Sequence, residues 1–165
     1  MAITIFTHNG LLELDSLIEK NKKQLSLITK RKGESAAGQD GWHDEGYKSA
    51  NVEEMMWSKH LRELQELRQT AVVITPEEQN DQVKIGNGVL LKYSDGTEKK
   101  YIIDGYMVNP TTDRVSYGSP TGGVLLGCHE GDVVRLKIDK NYIAITIIKI
   151  IAPSKTQAFL SEGGN

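Results

Sequence analysis

An α+β protein is expected from three features of the 165-residue sequence. Apolar residues recur at helical spacing in the first half and at strand spacing in the second, and the pattern switches near Thr75-Pro76. Together these imply an N-terminal antiparallel coiled-coil hairpin followed by a small, mainly antiparallel β domain. The expected divisions are a hairpin over 1–75, a linker over 76–81, the β domain over 82–153 and a tail over 154–165.

The first helix is marked by Leu11, Leu14, Ile18, Leu25 and Ile28, at steps of three and four, with Asn21 filling the one gap in the heptad series. A polar residue at such a position lowers stability and fixes register. Thr7 and Gly10 stand at the start of the pattern, and breaks are expected at Gly33 and Gly38. A continuous helix over residues 11–39 would extend about 45 Å. The period returns with Trp57, Leu61, Leu64, Leu67 and Ala71, which completes a hairpin.

After the polar stretch 76–81, β-type runs are expected over 83–93, 99–104, 133–138 and 142–151. Ser94-Asp95-Gly96 and Asp139-Lys140-Asn141 read as hairpin turns, and Val124 to Leu126 as a short helical turn. From Ser154 onward no pattern is visible, and a frayed tail is expected.

Composition removes several function classes. A charged fraction of 25% beside 38% hydrophobic residues describes a soluble globular chain, not a disordered one. With a net charge of −2 no global field draws nucleic acid, so any such contact must come from a local patch. Cys128 is the single cysteine, which excludes an internal disulfide and fits a reducing compartment. The N-terminus lacks a basic, apolar signal pattern, and the most apolar stretch, 142–152, is too short to cross a bilayer and carries Lys149. A cytoplasmic protein with no membrane partner is expected. His8, His43, His60 and His129 show no zinc-type spacing with Cys128 beyond the adjacent pair Cys128-His129. There is no phosphate loop, no GxGxxG and no nucleophile elbow.

The chemistry concentrates in the bend Asp40-Gly41-Trp42-His43-Asp44-Glu45 between the two helical stretches. Asp40, Asp44 and Glu45 put three carboxylates at the end of a hairpin. Mg²⁺ takes oxygen ligands and is often held by only one or two carboxylates. Two-metal phosphodiester cleavage needs both ions at the scissile phosphate, and a carboxylate can also accept a proton from the attacking water. The plain alternative is a solvated turn in which Asp44 or Glu45 caps the second helix. Lys20, Lys22, Lys23, Lys30, Arg31 and Lys32 form a basic run without intervening acids. It is either a phosphate-facing patch or a solvated helix face; Lys30, Arg31 and Lys32 lie nearest the bend.

The stretch Ser119-Pro120-Thr121-Gly122-Gly123-Val124-Leu125-Leu126-Gly127, then Glu130-Gly131-Asp132-Val133-Val134, resembles the C-terminal signature of the GreA/GreB family of bacterial transcript cleavage factors. Ser116 fits the same pattern. Thr7 and Gly10, the spacing from Gly10 to Asp40, and Glu45-Gly46-Tyr47-Lys48-Ser49-Ala50 resemble the family's N-terminal half. The resemblance implies a coiled-coil finger and an FKBP-like C-terminal domain that docks at the rim of the secondary channel of a bacterial-type RNA polymerase. It implies a DNA-binding transcription protein, a monomer with no active site of its own. The tip carboxylates Asp40, Asp44 and Glu45 would share Mg²⁺ with the polymerase active site, so that the polymerase cuts its own backtracked RNA. Lys30, Arg31 and Lys32 would face the nascent RNA 3′ end, and Ser119, Pro120, Gly127 and Asp132 would contact polymerase.

The tip departs from the family's Asp-x-x-Glu-Asn. Asp40 matches the aspartate, but His43 stands at the glutamate position and Asp44 at the asparagine position. Asp44 or Glu45 replaces the glutamate in one reading; in the other the tip occupies the channel without stimulating cleavage, as Gre-like inhibitory paralogues do. A third reading is an adaptor whose hairpin is only a spacer. Prolyl isomerase activity is set aside, because fold alone does not carry it and few aromatic residues are available for a proline pocket.

Overall fold

The computed structural model describes residues 2–37, 45–79 and 81–162. Their order is β1 (Thr4–Thr7), α1 (His8–Ala36), α2 (Glu45–Gln69), β2 (Ala71–Ile74), β3 (Gly88–Tyr93), β4 (Glu98–Asp104), β5 (Arg114–Ser116), α3 (Pro120–Leu125), β6 (Val133–Ile138) and β7 (Asn141–Ile151). A 3₁₀ turn over Pro153–Lys155 and α4 (Thr156–Ser161) follow. The class is α+β, as the sequence predicts. The chain divides into two compact units, Met1–Thr4 with Leu11–Ala71, and Ile5–Gly10 with Val72–Asn165.

In the first unit α1 and α2 run antiparallel, because partner numbers fall on one helix as they rise on the other. Asp15 pairs with Arg68, Thr29 and Lys32 with Glu54, and Arg31 with Glu53. The predicted stripe forms the seam: Leu14, Ile18 and Ile28 are buried from α1, and Ala50 and Leu64 from α2. Asn21 is buried in this seam. Its Nδ2 donates to the Leu17 carbonyl at 2.9 Å, while Oδ1 has no partner. An orphaned carbonyl of this kind costs about 1–3 kcal/mol. The helix does not break at Gly33 but runs on to Ala36; the cross-helix pairs of Arg31 and Lys32 sit beside the glycine. Ala71, expected as the last position of the second stripe, belongs instead to β2.

In the second unit the sheet order is β5-β4-β3-β7-β6, with β4 and β5 parallel and the other pairs antiparallel. Both predicted turns are present. Gly96 at φ +86° closes the β3–β4 connection, and Asp139 at φ 55° the β6–β7 connection. Val89, Leu91, Ile103, Ile145, Ile147 and Leu136 face inward onto Leu125 of α3 and Val83. The pair β1–β2 forms a separate two-stranded sheet that the sequence patterning did not reveal.

Three expectations are corrected. Residues 83–87 form a turn, not the start of a strand: Gly86 has φ +100°, and the buried Asn87 accepts from the Lys84 amide and donates to the Ile151 carbonyl. β5 was missed because three residues of mixed character carry no period. The tail does not fray over 154–162. Phe159 is buried against Gly88, and Lys100 Nζ reaches the carbonyls of Phe159, at 2.7 Å, and Glu162, satisfying backbone acceptors that the end of α4 leaves open. Residues 76–79, expected as a linker, are also engaged. Pro76 lies where a Cβ on Gly86 would come within 2.3 Å, and Glu77 pairs with Lys84.

Phe159→Ala would leave a void under α4. It is expected to lower stability by about 3 kcal/mol, read as an earlier midpoint in urea denaturation.

Candidate polymerase-facing sites

Asp40 and Asp44 lie outside the described residues, as do Trp42 and His43. Glu45 is the first residue of α2 and exposed; its Oε1 accepts from Lys48 Nζ at 2.8 Å. A carboxylate in the first turn suits the helix dipole. Among the described residues no cluster of three His, Cys, Asp or Glu could hold a metal ion. The donor chemistry of Asp40, Asp44 and Glu45 fits a hard oxygen-seeking cation, with Glu45 the one of the three whose surroundings are described.

The basic candidates divide. Arg31 Nη2 lies 2.5 Å from Glu53 Oε2, and Lys32 Nζ lies 2.5 Å from Glu54 Oε2 while also standing 5.6 Å from the centre of the Tyr47 ring. Both cations are therefore engaged across the hairpin. Lys30 is exposed and takes no part in an ion pair among the described residues. The hydrogen bond from Lys32, then that from Thr29, holds the Glu54 carboxyl below its usual range, and the same bond to Glu54 raises the Lys32 ammonium above its own. The pair therefore adds stability only between those limits. It is lost as pH falls through the lowered Glu54 value and again as pH rises through the raised Lys32 value.

The C-terminal signature has a local structural explanation. Ser119 caps α3, accepting from the Gly122 amide at 3.0 Å and donating to the Ser116 carbonyl at 2.8 Å, and Pro120 occupies the first turn. A Cβ on Gly122 would stand 2.1 Å from the Ser116 oxygen, so the helix packs there only with glycine. Gly127 has φ +79° and donates to the Val83 carbonyl. Cys128 donates its thiol to the Val124 carbonyl, and burial followed by the nearby Asp132 raises its pKa, which keeps it a thiol. Asp132 closes its own turn by accepting from the His129 amide at 2.8 Å. Of the four predicted polymerase contacts, Pro120 is exposed and makes no side-chain hydrogen bond, whereas Ser119, Gly127 and Asp132 all serve the loop itself.

Beside Ser119 lies an open cleft of about 610 Å³ that gathers Tyr101, Tyr106, Tyr117, Met107 and Arg114. The sequence ground for setting aside a proline pocket was a shortage of aromatic residues; here three tyrosines separated along the chain meet. Arg114 is anchored by Asp104. The Asp104 carboxylate is buried, takes Arg114 Nη1 at 2.6 Å, the Gly105 amide at 2.7 Å and the Thr7 hydroxyl at 2.8 Å. Thr7 Oγ1 in turn accepts from the Gly10 amide and so caps α1. The Thr7–Gly10 pairing was visible in the sequence, but Asp104 and Arg114 carried no signal because their partners are remote.

The chain thus contains two paired helices and a five-stranded unit, the two parts that the motifs lead one to expect. A family model described as "Transcription elongation factor, GreA/GreB, C-term" matches residues 78–152. Transcription elongation factor GreA of Thermoanaerobacter pseudethanolicus is 31% identical over 151 residues, covering 88% of this chain and 96% of its own. The same factor of Chloroflexus aurantiacus is 31% identical over 107 residues, covering 63% and 68%. Among solved structures, the GreA factor homolog 1 (Gfh1) protein of Thermus thermophilus aligns over 90% of this chain and 99% of its own at 24% identity, with a TM-score of 0.43. The chain belongs to the GreA/GreB family of transcription elongation factors.

Two outcomes follow. Arg114→Ala leaves Asp104 without its cation and is expected to lower stability by about 2 kcal/mol, because Arg114 keeps some solvent contact. Glu54→Gln is expected to flatten the acid limb of a thermal-melt series monitored by helical circular dichroism, because the group that titrates there is gone.

Proposed function

We propose that the protein binds bacterial-type RNA polymerase through its C-terminal unit, as a monomer, and carries the acidic bend into the secondary channel. There it promotes cleavage of backtracked RNA. The observation that supports the reading is a long helical hairpin, about 43 Å along α1, whose connecting sequence carries Asp40 and Asp44 and whose second helix starts at Glu45. Asp40, Asp44 and Glu45 would hold Mg²⁺ jointly with the polymerase active site. When bound, that ion supplies charge stabilisation at the scissile phosphate. The chain's own part is to place oxygen ligands, and to accept a proton from the attacking water at a carboxylate oxygen. Lys30, whose ammonium is free of the cross-helix pairs, is the favoured contact for the RNA 3′ segment, ahead of Arg31 and Lys32. The exposed Pro120, beside the tyrosine cleft, is the favoured point of polymerase contact.

A second reading is favoured by the bend itself. His43 stands at the family's glutamate position, and Glu45 is drawn to Lys48, so the charge is retained while its placement changes. A factor so altered would occupy the channel and slow elongation without stimulating cleavage.

The deciding experiment uses stalled, backtracked elongation complexes with Mg²⁺. Shortened RNA with released 3′ fragments supports cleavage; slowed elongation without fragments supports the second reading. In the first case the triple substitution of alanine at Asp40, Asp44 and Glu45 is expected to reduce the cleavage rate by about 100-fold with binding to polymerase retained. If that variant affects polymerase as the native chain does, neither tip mechanism holds and the adaptor reading replaces both.

A further inference from the structure

The five-stranded sheet has a core-facing side and an outer side, and the outer side is covered at one end only. There Phe159 of α4 lies over Gly88, which pairs with Ile102 and Ile151. Lys100, on the same side, is occupied by the α4 carbonyls. Away from α4 the register fixes what the bare half presents. Lys137 stands opposite Tyr142, and Arg135 opposite Ala144. Val133 pairs with Thr146, Thr146 with Lys92, and Lys92 with Glu98. After the bulge in this ladder Lys149 stands opposite Leu90, so it shares the face.

Lys92, Arg135, Lys137 and Lys149 are all exposed, and no ion pair among the described residues involves any of them. Glu98 stands opposite Lys92 and Asp139 sits in the adjoining turn; beside Lys149 the Glu130 carboxylate accepts from the Ile150 amide at 2.7 Å, and Glu78 and Asp81 line the same cleft as Lys149. Tyr142, 67% exposed, stands opposite Lys137 and two residues along β7 from Ala144, the partner of Arg135, and Val133 is 64% exposed. A chain with net charge −2 thus carries four cations without ion pairs on one sheet face, Lys137 directly opposite the exposed Tyr142 ring, Arg135 and Lys92 farther along, and Lys149 beyond the bulge.

We infer that this bare half of the outer sheet face is a binding surface for single-stranded nucleic acid. Charge complementarity selects an anionic partner. Alternate residues along β6 place Arg135 and Lys137 about 7 Å apart, a spacing that suits successive phosphates of an extended strand. The exposed Tyr142 ring offers a stacking platform for a base, which an acidic polypeptide would not use. The surface belongs to the C-terminal unit alone, and the inference does not depend on the polymerase reading.

The test is fluorescence anisotropy of a labelled 12-nucleotide RNA with the full-length protein over a salt series. For the native chain, log Kd should rise with log salt at a slope of about 3, from four phosphate contacts at about 0.7 each. The triple variant K92E/R135E/K137E should weaken binding at least tenfold and remove about 2 from that slope, with its circular dichroism spectrum unchanged. Tyr142→Ala should weaken binding about fivefold or more without changing the slope. Lys59→Ala, on α2, should leave binding within twofold, because that side chain has no assigned role in RNA contact. Unchanged affinity in the triple variant overturns the inference, and so does an equal loss of binding in Lys59→Ala. Indifference to Tyr142→Ala, combined with equal displacement of the RNA by polyglutamate, would make the face a site for acidic protein and likewise overturn it. Retained RNA binding by a protein inert in the polymerase assay would leave the inference standing while the proposed function fails.

Discussion

A single buried carboxylate holds together the segments from which the C-terminal unit is assembled. Asp104 ends β4, takes a cation from the neighbouring parallel strand β5, and takes a hydroxyl from the residue preceding α1. A buried charge is tolerated only when paired and hydrogen-bonded, and all three of its bonds come with specific backbone positions. The close approach of β1 depends on the next residue: a Cβ on Gly105 would come within 2.8 Å of the Ile5 carbonyl and the Thr7 amide. Asp-Gly at this point therefore does two things. The carboxylate names the partners, and the missing side chain lets them reach it. Phe6, fully buried with its ring 5.5 Å from that of Tyr106, then closes the apolar side of the same junction.

How much of this was legible beforehand follows from the range of each interaction. The hairpin was legible because Leu14, Ile18, Ile28 and Leu64 repeat at a short period, and because Asn21 marks the seam by interrupting it. The β3–β4 and β6–β7 turns were legible because Gly96 and the Asp139-Lys140 pair are local signals. The cap at Ser119 was not read: a helical turn was expected only over Val124 to Leu126, whereas α3 starts at Pro120. What else stayed hidden depends on partners far along the chain. β5 exists because Ile102 to Asp104 offer a free edge, not because Arg114, Val115 and Ser116 favour extension. α4 is ordered because Lys100 and Gly88 receive it. The tyrosine cleft combines residues 101, 106 and 117, none of which announces the others. Ion pairing across the hairpin was equally invisible, and it changes the site: a basic run that looks uniform in sequence separates into engaged and free side chains.

The hairpin and the C-terminal unit are stabilised by different means. The hairpin has one apolar seam and exposed flanks, with Met55 and Met56 both about two-thirds exposed. Its polar pairs lie at the surface, where each contributes little. Accepting an orphaned amide oxygen at Asn21 is consistent with selecting one register over slipped alternatives, since moving the asparagine along the seam would place it among larger apolar residues. The C-terminal unit instead has an enclosed core between the sheet and α3, and its irregular segments are fixed by buried side-chain amides and carboxylates such as Asn87 and Asp104.

The capping serine, the glycine pressed on the Ser116 carbonyl and the left-handed Gly127 together have a consequence for how this family diverges. These positions make the chain recognisable, yet each is held by the loop's own geometry. A lineage can therefore keep its signature intact while positions elsewhere change, because capping, close packing and a left-handed turn hold these residues locally. At His43, by contrast, the sequence departs from the family's tip pattern while the signature at Ser119, Gly122 and Gly127 is kept.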